Sequence, residues 1–457
     1  MTTLGAPPTA TVSLPGDPAF EAATRVFNLY APARPAAAVT ARTVDEVRAA
    51  IRAAARRGLS VRVHATGHSS GAVRPMADAL LIRTELVGGV HIDPHRLVAR
   101  VPAGTPWGVV VEAAARYGLA APHGSSPTVG VVGYLLRGGV SLYGRHVGLA
   151  ANSVRAVELV TADGESRRVN ARTDPELFWA LRGGGGGFGV VTAVEVALFP
   201  ATAVIAGAAF WSAAHAPDLL SAWRRWTVDA PTEVSTSLRV MNLPDLPEIP
   251  PMLSAGPVLC VAGVALGTDG YDVTTARAQA DDLLGPLRAV AEPLFDTWQP
   301  TTPAAVTEAH MDPTDPVGVV GDHLLLGELD DAGAAEFLRV VGAPDSPLIS
   351  AELRQLGGRL SLPDPTGGAL DRLDARFAYM GAGVPELRSD PSAIEKHLAV
   401  VRAALTPWDT GRTAPTFVES PDQPQRHLDP DRVRAADLVR RRVDPDGVFR
   451  GDIAPQT

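Results

Sequence analysis

The sequence predicts an α+β protein with two unlike regions. Up to about Pro200, short strand signals end in glycine-rich turns. From residue 201 to about residue 410, glycine clusters become rare and strands alternate with longer helices. Such alternation favours an antiparallel or mixed sheet that carries its helices on one face. We therefore expect domains at residues 1–201 and 202–410, followed by a C-terminal segment at residues 411–457.

The first well-defined unit is a helix followed directly by a strand. Thr43 and Glu46 have the spacing of a capping box at the start of a helix predicted over residues 43–57. Gly58 ends this helix, and a strand is predicted at residues 61–64. The unit delivers the chain to the turn that follows the strand.

That turn, within the stretch VRVHATGHSSGA at residues 61–72, consists almost wholly of small residues. Small residues let the backbone approach a ligand, and successive N–H groups in such a turn bind an anion such as a pyrophosphate. His68 is the one nucleophile among them. The alternatives are an ordinary β-turn with a hydrogen-bonded histidine, and a metal site formed by His64 and His68. A metal site is disfavoured because the two histidines share no helix and no glutamate follows His64.

Two more glycine-rich segments follow, at residues 123–139 and 182–189. The first lacks polar-linker character, which indicates backbone packed against a flat or anionic group; a close-packed glycine helix is the alternative. The second follows a helix predicted at residues 173–181 and precedes a strand predicted at residues 190–198. A dinucleotide fingerprint needs the order strand, glycines, helix, so this order argues against a Rossmann NAD site.

The remaining elements are predicted from hydrophobic periodicity and from turn residues. Strands are expected at residues 79–83, 97–101, 154–160, 204–210, 235–241, 259–266, 348–356 and 376–380, with a hairpin turn at residues 162–164. Helices are expected at residues 19–28, 107–117, 216–227, 273–284, 332–341, 394–405 and 431–443.

Composition excludes several classes of protein. A hydrophobic fraction of 46% and a charged fraction of 20% are typical of a globular protein, and the net charge of −9 argues against nucleic-acid or anionic-membrane partners. Cys260 is the only cysteine, so no disulfide or cysteine-based metal site is expected. The N-terminus lacks the pattern of a secretory signal and no apolar run could span a bilayer, so a cytoplasmic location is expected. The abundance of Ala, Arg, Gly and Pro is typical of a GC-rich bacterial genome.

Seven segments in order carry a resemblance to a known family. They are PGDPAFEAATRVFN, VRVHATGHS, VPAGTPW, GSSPTVGVVGYLLRGG, YGRHVGLAANSVRAVELVTADG, DPELFWALRGGGGGFGVVT and DPDGVFR. Together they resemble the berberine-bridge-enzyme-like flavoproteins, within the wider group of vanillyl-alcohol oxidase and p-cresol methylhydroxylase. The region 202–410 matches only loosely, through AELRQLGG.

The resemblance implies a two-part FAD-binding domain of the p-cresol methylhydroxylase type, made of residues 1–201 and 411–457, and an α+β substrate-binding domain with a central, mainly antiparallel sheet. It places His68 where the family attaches the FAD 8α-methyl group covalently, as a single histidyl link. The other cofactor-binding residues that it implies are Val63, His64, Ala65, Thr66, Gly67, Ser69, Gly124, Ser125, Ser126, Thr128, Val129, Gly130, Gly133, Tyr134, Gly138, Gly189 and Val191.

Three positions depart from the family pattern. Ser126 stands where many relatives have a cysteine that makes a second flavin bond. Tyr134 stands where relatives carry a histidine or similar donor near flavin N1. The stretch Phe417, Val418, Glu419 replaces a C-terminal YxN motif, so a catalytic tyrosine is absent there. Val129 matches a small aliphatic position that the family associates with oxygen access.

These features together lead to the prediction of an FAD-dependent oxidase. It takes hydride from a C–H bond beside a hydroxyl or amine of a small, largely apolar metabolite, and reduces O2 to H2O2. The predicted candidates for the base are Tyr134, Tyr143, Tyr379 and Glu352, with Glu419 also considered. Tyr379 is expected to lie on a strand that faces the flavin ring, and Glu352 and Arg354 to share one face of another strand. We expect a monomer or a homodimer.

Two other functions stay open at this point. One is an oxidative cyclase or dehydrogenase of bacterial natural-product biosynthesis, that is, of secondary metabolism. The other is a flavin-binding protein without turnover, which the missing C-terminal tyrosine keeps open.

Overall fold

The computed structural model describes residues 11–267, 270–343, 345–385, 387 and 389–451. The predicted first domain and C-terminal segment therefore include residues 1–10 and 452–457, which lie outside the described residues. The strands are β1 Ala37–Ala41, β2 Ser60–His64, β3 Ala79–Thr84, β4 His91–Asp93, β5 Val98–Pro102, β6 Leu119–Ala120, β7 Val154–Val160, β8 Ser166–Val169, β9 Val190–Ala197, β10 Phe199–Pro200, β11 Val204–Ser212, β12 Val234–Met241, β13 Val258–Leu266, β14 Phe295–Asp296, β15 Gln299–Thr301, β16 Val320–Leu326, β17 Ser350–Gln355 and β18 Phe377–Gly383. The α-helices are α1 Pro18–Ala23, α2 Val44–Arg57, α3 Trp107–Ala115, α4 Val131–Leu136, α5 Gly144–Val147, α6 Pro175–Ala180, α7 Ala216–Val228, α8 Pro251–Ser254, α9 Val273–Val290, α10 Asp331–Val341, α11 Pro391–Leu405 and α12 Pro430–Val443.

A small parallel sheet positions the histidine-bearing turn. Its strand order is β1-β3-β2, and α2 packs on it through an apolar face that includes Val47 and Ile51. The predicted capping box at Thr43 and Glu46 is present, and Gly58 ends the helix at φ +65°. Strand β2 therefore leaves the sheet at a fixed point, and the turn begins directly after it.

A five-stranded antiparallel sheet of order β4-β5-β9-β7-β8 forms the second layer of the first region. Its core contains Trp107 of α3, together with Phe178 and Phe188. The C-terminal segment packs on both layers of this region. Helix α12 contributes Val439 to the second core, and Phe449 lies in the core of the small sheet.

The large sheet of the second region has the order β14-β11-β13-β12-β17-β18-β16, with β15 paired to β11, and its pairings are antiparallel. Helices α7, α9, α10 and α11 cover one face, where Trp211, Trp223 and Phe337 are buried. This confirms the prediction of an α+β fold with a mainly antiparallel central sheet. The opposite face of β12 and β17 turns towards the first region.

The structure contains several elements that the sequence analysis did not predict, among them β16, β1 and α4. Strand β16 was not predicted, because Gly321, Asp322 and His323 interrupt its apolar pattern. Strand β1 was not predicted either, and α4 lies inside the first glycine-rich segment, between Gly130 and Gly138. The first helix is shorter than predicted: α1 ends at Ala23, whereas the prediction continued to residue 28. Within the ranges described, the helices lack the combination of length and apolar character that crossing a membrane requires.

Candidate functional site

A cavity of about 1460 Å³ lies between the two regions of the chain. Pockets for drug-sized ligands measure roughly 300–1,000 Å³, so this one has room for a large ligand and a smaller second one. Three walls come from the first region: the turn after β2, the segment around α4, and the glycines before β9. The fourth is the open face of β12, β17 and β18, and the C-terminal stretch around Phe417 closes one side.

His68 projects from the turn after β2 and is held on two sides. Its ring stacks on Phe27, with centroids 3.8 Å apart and planes 14° apart. Its Nε2 lies 2.8 Å from Oγ1 of Thr128, which in turn lies 3.0 Å from the hydroxyl of Ser126. Burial lowers the pKa of His68 to about 4, so the imidazole is neutral at pH 7. A neutral, oriented imidazole has the properties of a nucleophile.

The backbone of the same turn has the character of an anion site. Gly67 adopts φ +75°, and a Cβ there would lie 2.6 Å from Cα of Val26, so no side chain fits. Thr66 fixes the facing segment, because its Oγ1 accepts the N–H of Gly130 at 3.2 Å. In the described part of the chain, the N–H groups of residues 66–69 donate to no protein acceptor. They are available to an anionic ligand.

Tyr134 lies on α4 and reaches the cavity beneath Gly124, where a Cβ would be 3.3 Å from its hydroxyl oxygen. Its ring packs edge-on to Trp107, with centroids 5.6 Å apart. The hydroxyl is buried and has no hydrogen-bond partner among the described residues. Burial raises the pKa of Tyr134, so the phenol stays protonated and presents a donor. An unpartnered buried donor of this kind is expected to bind a ligand acceptor.

A buried ion pair stands on the opposite wall. Glu352 and Arg354 lie on one face of β17, and Arg354 Nε donates to Glu352 Oε1 at 2.9 Å. The Arg354 guanidinium also lies 5.4 Å from the ring centroid of Phe417. Both side chains of the pair are about nine-tenths buried. The carboxylate of Glu352 is therefore held by its own neighbour.

Around this pair lie three polar residues that sequence reasoning missed. Arg239 on β12 donates to the carbonyl of His310 at 2.9 Å, and His310 Nε2 lies 3.9 Å from Glu352 Oε1. Burial raises the pKa of Asp312, and the positive charges of Arg239 and Arg354 oppose that rise. Arg239 was detectable in principle, because an arginine inside an apolar strand is unusual. His310 and Asp312 lie outside the strands and helices and gave no periodic signal.

Glu419 is a second acidic residue on the cavity wall. Its backbone N–H donates to Oε1 of Gln423 at 2.7 Å, and Gln423 also donates to the carboxylate of Asp322. Its own carboxylate has no side-chain hydrogen bond within the described ranges. Burial raises the pKa of Glu419 to about 7, opposed by the positive charge of Arg137.

One part of the cavity wall is largely apolar, and we call it the entrance. It is formed by the loop after β12, which also contributes Glu248, together with the ends of β17 and β18. Its apolar side chains are Met241, Leu243, Leu246, Ile249, Ile349, Met380 and Leu387. The polar groups described above therefore share the cavity with this largely hydrophobic entrance.

Most of the predicted cofactor positions meet at this cavity. Those that line it are Val63, His64, Ala65, Thr66, Gly67, His68, Ser69, Gly124, Ser125, Ser126, Val129, Gly130, Gly133, Tyr134, Gly189 and Val191. Thr128 stands behind His68. Gly138 instead packs on Leu370, whose Cδ2 would lie 2.9 Å from a Cβ at that position. Their roles in binding a cofactor stay predictions.

Two of the predicted catalytic residues, Tyr143 and Tyr379, lie away from the cavity. Tyr143 is buried between His123 and Phe199, with ring centroids 5.4 and 5.1 Å away. Tyr379 points to the helical side of the large sheet, against Phe337, because its strand neighbour faces the cavity instead. Neither lines the cavity. Tyr134 and Glu352 do line it.

Comparisons with known proteins bear on this site. Residues 35–170 match the family model of the FAD-binding domain. The chain is 35% identical over 188 residues to (R)-6-hydroxynicotine oxidase of Paenarthrobacter nicotinovorans, which is 41% of each chain. It is 31% identical over 222 residues to an FAD-linked oxidoreductase of Bacillus subtilis, covering 48% of this chain and 49% of that one. The matched part thus spans less than half the length of these curated relatives.

Solved structures match over nearly the whole chain. A variant of berberine-bridge-enzyme-like protein 1 from Physcomitrella patens superposes with a TM-score of 0.81 at 19% identity, covering 98% of this chain and 97% of that one. 6-Hydroxy-D-nicotine oxidase from Arthrobacter nicotinovorans gives a TM-score of 0.79 at 22% identity, covering 98% of both chains. The chain therefore contains an FAD-binding domain and has the fold of the berberine-bridge-enzyme-like and 6-hydroxynicotine oxidase flavoproteins, as the sequence resemblance predicted.

Proposed function

We propose that this protein is an FAD-dependent oxidase with a flavin linked covalently to His68. It oxidises a C–H bond next to a hydroxyl or amine of a small, largely apolar metabolite and passes the electrons to O2, giving H2O2. The single observation that carries this proposal is a neutral, oriented imidazole on a small-residue turn that opens into a cavity of about 1460 Å³.

The residues around the cavity fit FAD. The N–H groups of residues 66–69 suit the pyrophosphate, and the unpartnered hydroxyl of Tyr134 suits an acceptor on the flavin ring. A Cβ added at Gly133 would meet no atom within 4 Å, which leaves space for the cofactor. When bound, the flavin supplies the two-electron chemistry, and the protein supplies orientation, electrostatics and proton transfer.

The tautomer of His68 supports a covalent link. When Nε2 carries the proton and donates it to Thr128 Oγ1, at 2.8 Å, Nδ1 keeps its lone pair. The stack on Phe27 fixes the ring plane, so that lone pair has one direction. An imidazole held this way can attack an electrophilic carbon without first losing a proton from the attacking atom.

The entrance supports an apolar substrate. Its wall of leucine, isoleucine and methionine side chains offers few partners to a free sugar, although a relative from Microdochium nivale is named a carbohydrate oxidase, at 28% identity over 206 residues. The similarity to 6-hydroxynicotine oxidase agrees better with such an entrance. Val129 lines the cavity, and its small side chain supports our proposal that oxygen is the electron acceptor.

The test begins with the purified protein. After acid precipitation and washing, we expect the yellow colour to stay in the pellet and a flavin-modified peptide to contain His68. A panel of apolar alcohols and amines is then screened anaerobically for flavin bleaching and aerobically for peroxide. Bleaching without peroxide would make the protein a dehydrogenase. Purified protein free of flavin after production with adequate flavin supply would refute the proposal.

A further inference from the structure

The acidic side chains on the cavity wall differ in how the protein holds their carboxylates. Of the carboxylates on the cavity wall, Glu352 is paired with Arg354 and Asp322 with Arg402, while Asp312 lies under the positive charges of Arg239 and Arg354. Glu419 has no such side-chain bond in the described part of the chain. It can therefore receive a proton without first breaking an ion pair.

Two glycines make the place for this side chain. A Cβ at Gly321 of β16 would lie 3.2 Å from Cγ of Glu419, so the glutamate packs where this strand has no side chain. On the other side, a Cβ at Gly71 would lie 2.4 Å from the carbonyl oxygen of Glu419. Gly71 belongs to the turn that carries His68. Glu419 therefore stands between the substrate-side sheet and the turn that supports the cofactor.

The backbone of Glu419 is fixed by a chain of polar contacts. Gln423 accepts its N–H at 2.7 Å and donates to Asp322, and Arg402 Nε donates to that aspartate at 2.8 Å. Because these contacts use the backbone of Glu419, they position the residue and leave its carboxylate available. The positive charge of Arg137 acts on this carboxylate and favours its ionised form.

We propose that Glu419 is the proton acceptor of the substrate-oxidation step. The substrate C–H bond breaks and its hydride, with two electrons, goes to the flavin. The hydroxyl or amine on the same carbon loses its proton, which goes to a carboxylate oxygen of Glu419. The electron pair of the broken O–H or N–H bond then forms the second bond of a C=O or C=N group. This inference rests on the proposed oxidase function. It selects Glu419 among the predicted candidates for the base in preference to Glu352, whose carboxylate is held by Arg354.

A pKa near neutrality suits this role. Burial raises the pKa of Glu419 to about 7, so the residue accepts a proton more readily than an exposed carboxylate does and still ionises at physiological pH. Since the folded state holds the proton more tightly than the unfolded state, this group favours folding below pH 4.5 and loses that contribution as the pH rises to about 7.

The experiment compares the flavin-loaded wild type with Glu419→Gln, Glu419→Asp and Glu395→Gln. Glu395 lies on the surface, where it contacts Tyr30, and serves as the matched control. We expect Glu419→Gln to slow anaerobic flavin reduction about 10²–10⁴-fold and to remove the acid limb of the pH profile. Glu419→Asp should restore part of the rate, and Glu395→Gln should behave as wild type. Gly321→Ala, which presses a methyl group on Cγ, should give a smaller loss.

A second readout is independent of turnover. The melting temperature of the wild type, relative to Glu419→Gln, should fall between pH 5 and pH 8. If substrate reduces the flavin of the wild type, and Glu419→Gln keeps the same rate and pH profile, this inference is overturned while the proposed function stands. A flavin-loaded wild type that no substrate of the panel reduces would overturn the proposed function, and this inference with it.

Discussion

The Oγ1 atom of Thr128 lies 2.8 Å from Nε2 of His68, and it connects this histidine to the hydroxyl of Ser126 at 3.0 Å. Ser126 occupies the position where the resemblance places a second, cysteinyl flavin bond in many relatives. In this chain the same position contributes a hydroxyl to the group that orients the histidine. Hydrogen bonds through Thr128 therefore connect His68, the proposed attachment point, with Ser126, the position of the second attachment point in many relatives.

Thr128→Val should slow covalent attachment of the flavin at His68. Valine keeps the shape but removes the acceptor for Nε2–H, so the ring loses the bond that fixes its tautomer. Loss of one such hydrogen bond costs about 1 kcal/mol, which corresponds to roughly a fivefold slower rate. The measurement is the fraction of acid-stable flavin against time when apoprotein is mixed with FAD. Thr128→Ser should behave as wild type, and a valine variant that couples at the wild-type rate would contradict this reasoning.

Tyr134→Phe and Tyr379→Phe should differ, although both hydroxyls are buried without a described partner. The Tyr134 hydroxyl faces the cavity, so its removal should take a hydrogen bond from the bound flavin, shift its absorbance spectrum and slow its reduction about 10-fold. The Tyr379 ring packs against Phe337 and does not line the cavity, so removal of its hydroxyl should leave the spectrum and rate unchanged. An equal effect of both substitutions on the flavin spectrum would show that the cavity assignment is wrong.

The sequence could predict that Tyr379 lies on a strand, but it could not show on which side. Strand β18 alternates between a helix-covered face and a cavity face, and a shift of one position exchanges them. Met380, the next residue, lines the cavity. Both faces of this strand are partly covered by protein, so hydrophobicity did not distinguish them. Most of the predicted elements, in contrast, lie within a few residues of their observed bounds because caps and glycines mark their ends.

The contacts within the polar cluster on the cavity wall could not be predicted from the sequence. Arg239, His310 and Glu352 come from two neighbouring strands and an irregular loop, separated by dozens of residues. Local periodicity carries no information on such contacts. The histidine turn was different, because its small residues and its nucleophile are contiguous and had to meet the same ligand.

Gly67→Ala should damage the site more than Gly16→Ala. Both glycines have positive φ, +75° and +95°, so alanine strains either backbone by about 1–2 kcal/mol. At Gly67 the new Cβ would also lie 2.6 Å from Cα of Val26, whereas nothing lies within 4 Å at Gly16. We expect only Gly67→Ala to lose flavin content, measured as the ratio of flavin to protein absorbance. Equal losses would show that the turn tolerates rearrangement.

Stability should fall as the pH drops from about 6.5 towards 4. His123 is fully buried and donates Nδ1–H to the carbonyl of Gly124 at 2.6 Å, and burial lowers its pKa to about 4. The folded state therefore binds fewer protons than the unfolded state in this interval. The contribution of His123 to the free energy of unfolding is complete above pH 6.5 and is lost as the pH falls through about 4. Urea unfolding of the wild type and of His123→Gln at pH 7 and pH 5 measures this. The variant should lose less stability on acidification, and equal losses would exclude His123 as a contributor.

Arg145→Met should destabilise the contact between the two regions. From α5, the Arg145 guanidinium donates to the carbonyls of Val234 at 2.8 Å, Leu356 at 2.5 Å and Ala230 at 2.7 Å, all in the second region. Burial lowers its pKa to about 10, so it remains charged at pH 7. Methionine fills similar space but leaves buried carbonyls without donors, at a cost of about 2–4 kcal/mol.

The control for this substitution is Arg48→Met, which removes an exposed ion pair with Asp45 and should cost less than about 1 kcal/mol. Urea unfolding at pH 7 measures both variants. Because the cavity walls belong to both regions, the Arg145 variant should also bind substrate less tightly, raising KM while covalent flavin content stays as in the wild type. A stability equal to that of Arg48→Met would mean that the carbonyls find other donors, and that Arg145 does not hold the regions together.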